Sequence, residues 1–298
     1  MKAVVLHGYG DFDALRYEDV PTPEPGPGEL LIRIRAVAVN HCDTDVRRGL
    51  FGVAQTMPHV MGVDAAGEVA AIGPGVAGFA IGDPVSPHFM LTCGACRNCL
   101  RGRENICLAA GVLGVTAWGT YAEYVKVPAR DVVPLPRGLA PEIAVAAQVP
   151  LATSWEALIV EGGLRAGETV LINGAAGGVG SGAVQVAKLA GARVIATVGA
   201  AHKAERVRAL GADHVVDYNR EPIPAAVMRL TNGLGVDVAF DQVGGQSLLD
   251  SIAALAQGGR LVTVGAHGGE KVEIDMIEFF RKHISMHGCG RSTKAQVM

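Results

Sequence analysis

From about Glu142 onward the chain alternates short apolar runs with helix-patterned stretches, and that rhythm leaves few folds open to it. Residues 169–172, 193–198, 215–216, 236–240 and 260–264 read as strands. Residues 180–190, 203–210, 225–230 and 247–256 read as the helices between them. Strands alternating with helices imply a parallel sheet covered on both faces. Right-handed crossovers then make it doubly wound.

The turn between the first strand and helix of this half is Asn173-Gly174-Ala175-Ala176-Gly177-Gly178-Val179-Gly180. In the dinucleotide fingerprint G-x-G-x-x-G/A, Ala175 takes the first glycine position, Gly177 the second and Gly180 the third. Gly177 lets backbone N–H groups approach a pyrophosphate at the positive end of the following helix. Gly180 permits close packing of helix on strand. The strand before the loop and the helix after it supply the context that such a motif requires. NAD-binding versions place an acidic residue about 20 positions on, against the ribose 2′-hydroxyl. Here that count falls on Val198-Gly199-Ala200-Ala201, followed by His202, Lys203 and Arg206. A missing carboxylate beside cations suits a 2′-phosphate, so NADPH is favoured over NADH.

The first ~125 residues follow a different grammar, all-β in character. Near-alternating runs such as 30–37 and 65–72 are separated by Pro/Gly clusters and read as a compact barrel-like meander. Within this half, four of the six cysteines, Cys93, Cys96, Cys99 and Cys107, are spaced C-x2-C-x2-C-x7-C. Four thiolates that close together satisfy one tetrahedral zinc with no open position, which makes the metal structural. Disulfide pairing is the bland alternative, and the isolated Cys42 and Cys289 give no sign of an oxidising compartment.

Composition excludes other classes. The chain is 49% hydrophobic and 18% charged with a formal charge of −3. It offers no basic footprint for nucleic acid or anionic membranes. The start, Met1 to Leu6, is too short an apolar run for a signal peptide, and no uninterrupted apolar run reaches the ~18 to 20 residues of a membrane helix. The expectation is a cytoplasmic enzyme acting on a small molecule.

With the cysteine loop, Gly174 to Gly180, Val39-Asn40-His41-Cys42-Asp43, Pro58 to Asp64 and Gly211 to Val215 in view, the chain resembles the medium-chain dehydrogenase/reductase superfamily. That group includes zinc alcohol dehydrogenases and quinone oxidoreductases. The resemblance implies an α/β protein: a GroES-like β-barrel-type catalytic domain over residues 1–125 and a Rossmann-type doubly wound domain over 126–289. Family chains usually run on for some tens of residues after a segment like 283–290. Here the completion of the catalytic domain over 290–298 is short or missing, so either the sequence is truncated or the substrate cleft between the domains is more open than usual. Dimerisation through an edge strand near 283–286, giving a homodimer or homotetramer, is implied by resemblance alone.

Zinc alcohol dehydrogenases hold a second, catalytic zinc through Cys, His and Cys. The matching positions here are Asn40, Val63 and Val149, so all three ligands are missing. A slipped register using Cys42, His59 and Asp64 is the alternative. Without a Lewis acid, reduction of a quinone or an α,β-unsaturated carbonyl becomes the expected reaction. Asn40 resembles the Asn of zinc-independent quinone oxidoreductases and would donate to the developing oxyanion or hold the nicotinamide. His41 is a candidate proton relay, and Asp43 an orienting carboxylate. Asp45 stands where such reductases often carry Tyr. Thr153 resembles the nicotinamide contact, Tyr218 a tyrosine near the adenosine 2′-phosphate beside the Lys203 read above as a cation for it, and Val264-Gly265 the edge of the nicotinamide ribose site. A zinc-dependent alcohol dehydrogenase with a displaced site and a non-catalytic NADPH-binding protein are the competing readings.

Overall fold

A computed structural model describes residues 1–298 and divides into two compact units, Met1–Gln148 with Thr293–Met298, and Val149–Ser292. In the first unit, β1 (Lys2–Leu6) pairs with β2 (Leu15–Asp19) and, across β3 (Glu29–Ala38) in sequence, with β4 (His59–Val60). The larger sheet adds β5 (Asp64–Ile72), β6 (Pro84–Pro87), β9 (Tyr124–Pro128) and β10 (Val132–Pro134) to β3, in the order β10-β6-β5-β3-β9. All its pairings are antiparallel. A small ribbon of β7 (Met90–Leu91) and β8 (Gly111–Val112) flanks the cysteine loop. Leu30, Ile32, Val69, Val85, Val125, Val127 and Val132 face inward to one core. Each such side chain contributes about 1.5–3 kcal/mol on burial.

Two expectations for this half change. The first 125 residues are not purely β, because α1 (His41–Arg47) interrupts them. The Asn40 N–H donates to Asp43 Oδ2 at 2.8 Å, a reciprocal cap that starts the helix where the residues were read only as a motif. The unit also extends past 125, since β9 completes the sheet beside β3 and β10 closes it beside β6. The helix that follows, α2 (Pro141–Trp155), continues through a π-helical turn to Glu161. That 21-residue helix is long and apolar enough by length and composition to cross a membrane, which uninterrupted apolar runs did not reveal. A core helix passes the same test, and Ala144, Val145, Ala152, Ala157 and Leu158 are buried within the protein.

In the second unit, β11 (Thr169–Ile172), α3 (Gly178–Leu189), β12 (Arg193–Val198), α4 (Ala201–Ala209), β13 (His214–Asp217), α5 (Ile223–Leu230), β14 (Val236–Asp241), α6 (Gln246–Ala254), β15 (Leu255–Thr263), α7 (Met276–Arg281) and β16 (Ser285–Gly288) follow one another. The parallel sheet runs β13-β12-β11-β14-β15-β16. This is the doubly wound order whose direction reverses between the first and fourth strands. Alternation along the strands splits the core. Val170, Ile172, Val194, Ala196, Val238 and Phe240 pack with α3 and α4 residues such as Val184 and Val207. Leu171, Ile195, Ala239 and Leu261 pack with Ile223, Val227, Leu248 and Ile252 of α5 and α6. A period of two in the strands thus places one helical layer on each face. The chain ends in α8 (Lys294–Val297), whose first residue donates its backbone N–H to Glu104 of the cysteine loop at 2.9 Å.

Candidate functional site

All six cysteines are free thiols. The Sγ atoms of Cys93, Cys96, Cys99 and Cys107 lie within 4.8 Å of one another. Cys96–Cys99 and Cys93–Cys107 stand 3.5 Å apart, Cys93–Cys99 and Cys96–Cys107 3.9 Å. A tetrahedron of Zn–S bonds about 2.3 Å long has edges of about 3.8 Å, so the donor set fits zinc. Backbone N–H groups of Cys99 and Leu108 hold the Cys96 thiol down to about 6, while burial pushes Cys99 up to about 12. The loop is fixed from below: the Thr92 hydroxyl and N–H both donate to buried Asp131, at 2.6 and 3.1 Å. Arg130 Nε donates back to the Thr92 carbonyl at 2.8 Å.

A second cluster surrounds the start of α1. Asp43 is buried, and its Oδ2 accepts from both the Asn40 N–H and the Tyr121 hydroxyl, each at 2.8 Å. Burial raises the Asp43 carboxyl above the ordinary range, against the lowering effect of those donors. The Asn40 side-chain Nδ2 is buried with no acceptor. His41 is exposed at the first helical position. Tyr121 carried no signal as a site residue, because its partner lies 78 positions away.

The slipped zinc register does not assemble. His59 commits Nε2 to the Gly114 carbonyl at 2.9 Å, and burial lowers its pKa. Burial, with Asp43 next to it, pushes the Cys42 thiol up to about 12. The four-cysteine loop is the group of His, Cys, Asp and Glu side chains that gathers around one point.

In the second unit the glycine loop joins β11 to α3. A Cβ on Gly180 would meet the Gly174 carbonyl oxygen at 2.3 Å and Ala175 Cα at 2.7 Å, so the helix packs here only without a side chain. Gly177 differs. Its φ is −78°, and a Cβ would find its nearest protein atom at 3.4 Å. Nothing inside the protein requires glycine there, which leaves the open face of the loop as the reason. A cavity of about 410 Å³ adjoins that face, lined by Ala176, Gly177, Gly178, Ser181 and, from α4, His202, Lys203 and Arg206. These residues fit a phosphate-bearing dinucleotide.

At the end of β12, a Cβ on Gly199 would meet the Tyr218 hydroxyl at 2.2 Å, so the phenol stands against the Val198–Ala201 stretch. Val264 donates its N–H to the Asp241 carbonyl at 3.1 Å, and Gly265 packs against the Gln242 backbone. Asn40, His41 and Asp43 belong to the first unit, and Thr153, on α2, to the second. Ser181, Asp241 and Gln242 were not anticipated. Ser181 alone had a local signal, its place in the first turn after the glycines.

Residues 26–137 match the family model of the alcohol dehydrogenase GroES-like domain, and residues 178–297 that of the zinc-binding dehydrogenase. L-threonine 3-dehydrogenase of Pyrococcus furiosus is 37% identical over 263 residues, 86% of this chain and 74% of its own. Quinone oxidoreductase of Pseudomonas aeruginosa is 34% identical over 275 residues, 92% of this chain and 76% of its own. A solved NAD-dependent alcohol dehydrogenase superimposes with a TM-score of 0.93 at 40% identity, covering 100% of this chain and 87% of that one.

Proposed function

Because the chain belongs to the medium-chain dehydrogenase/reductase superfamily of oxidoreductases, we propose that it reduces a quinone or an α,β-unsaturated carbonyl with NADPH, keeping one structural zinc and using no catalytic zinc. The observation that carries this reading is the donor set at the three catalytic ligand positions. Asn40, Val63 and Val149 offer an amide and two hydrocarbons, which cannot supply the charge or lone pairs that a catalytic zinc needs.

NADPH supplies the hydride. The glycine loop with Lys203, Tyr218, Val264 and Gly265 is the proposed seat of the dinucleotide, and Thr153 the nicotinamide contact. Asn40 Nδ2 is buried without an acceptor, which supports its assignment as the donor that would gain one as negative charge develops on a carbonyl oxygen. Asp43 and Tyr121 hold Asn40 in that conformation through the helix cap. His41, exposed at the head of α1, is the proposed relay that brings the proton from solvent.

A second reading, alcohol oxidation at a metal, is favoured by the names of the threonine and alcohol dehydrogenase relatives. Two measurements separate the readings: NADPH oxidation over a panel of quinones and enones, and zinc per chain. Turnover of the panel with one zinc supports the reductase. Alcohol-dependent NAD+ reduction that a chelator abolishes overturns it. A reducing, cytoplasmic setting suits the free thiols. We also take β16, the free edge of the six-stranded sheet with Met286 46% exposed, as the surface that pairs with a second copy.

A further inference from the structure

Gln242 follows the last residue of β14, beside the point where the strand order reverses between β11 and β14. Parallel sheets open their ligand crevice at such a point. The Gln242 Nε2 donates to the Asn173 carbonyl at 2.7 Å and reaches the Gly174 carbonyl at 3.4 Å. Both carbonyls belong to the first turn of the glycine loop. A Cβ on Gly180 would meet the same nitrogen at 2.6 Å, so the amide also lies against the first turn of α3.

A second set of bonds sets the direction of Gln242. Asn173 Nδ2 donates to Asp241 Oδ2 at 3.0 Å and to Ser251 Oγ at 2.7 Å, and Asn173 Oδ1 accepts from Thr197 Oγ at 3.1 Å. Fully buried Asp241 also accepts from the Ser247 hydroxyl at 2.5 Å and from the N–H groups of Gly244 and Val243 at 2.7 and 3.2 Å. These bonds tie the ends of β11, β12 and β14 together and fix the backbone that carries Gln242.

Each peptide unit has its N–H and C=O on opposite sides, so a bond that holds the carbonyl also sets where neighbouring N–H groups point. The N–H groups of these two peptides, Gly174 and Ala175, donate to Thr197 Oγ1 at 3.3 Å and to the Thr197 carbonyl at 3.1 Å, so the held peptides anchor the base of the loop. A loop that receives a pyrophosphate must keep its backbone in place before the ligand arrives. We propose that Gln242 is a positioning residue for dinucleotide binding, its amide locking the Asn173 and Gly174 peptides across the reversal point. This rests on the reading that the glycine loop seats NADPH.

The test is Gln242→Met, equal in length but without the donor, measured by titration with NADPH and with ADP, by steady-state kinetics and by thermal melting. Removing one backbone-directed bond is expected to raise both dissociation constants about five- to tenfold. The KM for NADPH rises with them, kcat at saturation stays within about twofold, and the melting temperature is nearly unchanged. Gln242→Asn, one methylene too short to reach, is expected to weaken ADP alike and serves if the Met variant folds poorly. A wild-type chain that binds both ligands, matched by variants that bind them as tightly, overturns the proposal alone. So does a loss of kcat with KM unchanged. A wild type that binds neither ligand overturns the cofactor reading and this proposal with it.

Discussion

The Tyr121 hydroxyl donates to Asp43 Oδ2 at 2.8 Å across 78 residues of sequence, and so ties the head of α1 to the segment that leads into β9. The Asp43 carboxyl is raised by burial, and the Tyr121 bond works against that rise. An acid whose folded-state pKa lies above its unfolded value keeps more protons when folded. Its contribution is therefore fullest below the unfolded pKa and is lost as pH rises through the folded one. Tyr121→Phe removes a donor to the ionised form, so it should cost about 1–3 kcal/mol at neutral pH and less under acid conditions. Denaturant unfolding at neutral pH and near pH ~4 checks this. An equal deficit at both would mean that the bond is not to a charged carboxylate.

Cys96→Ser should remove the zinc. Wild-type protein washed with chelator is expected to hold one equivalent by elemental analysis. The variant should lose more than the ~10–100-fold in affinity that an outer-shell partner typically supplies. Because α8 docks on Glu104 of the same loop, the variant should also expose the segment after Ser292 to protease. Full zinc retention in the variant would mean that three thiols suffice.

Gly177→Ala and Gly180→Ala should separate binding from folding. The Gly180 variant meets backbone at 2.3 Å and should lose about 1–3 kcal/mol of stability. The Gly177 variant, with nothing nearer than 3.4 Å, should stay within about 0.5 kcal/mol of wild type yet bind NADPH at least about tenfold more weakly. Calorimetry beside fluorescence titration reads both. Normal NADPH binding by the Gly177 variant would remove the argument from the open face of the loop.

Lys203→Ala should raise the KM for NADPH by about tenfold, the loss of one charge-assisted bond, and leave that for NADH nearly unchanged. The gap between the two cofactors should narrow as salt is added. Equal effects on both would place Lys203 at the pyrophosphate instead of the 2′-phosphate.

Asn40→Ala should lower kcat by about 100- to 1,000-fold with enones while the dissociation constant for NADPH stays put, the pattern of a lost oxyanion donor. A rise in KM for NADPH at constant kcat would assign Asn40 to the cofactor.

Much of the architecture was legible because the signals were local. Strands 169–172 and 193–198 fall where the apolar runs stood, and α3 begins within two residues of its expected start. The helix α1 was missed because seven residues with a single cap carry little periodicity. The π-helical continuation of α2 joined apolar stretches that polar residues had separated on paper.

What the amino-acid sequence determined alone was everything that depends on neighbours: four thiols inside fifteen positions and a glycine loop between a strand and a helix. The tertiary structure decided the pairings that sequence distance hides. Asp43 meets Tyr121 only because the first unit folds back on itself, and Asp241 and Gln242 reach Asn173 across 68 and 69 residues only because β14 lies beside β11. A cysteine loop closes by chain connectivity, whereas these bonds exist only once strand order has been set by the burial of two opposite faces.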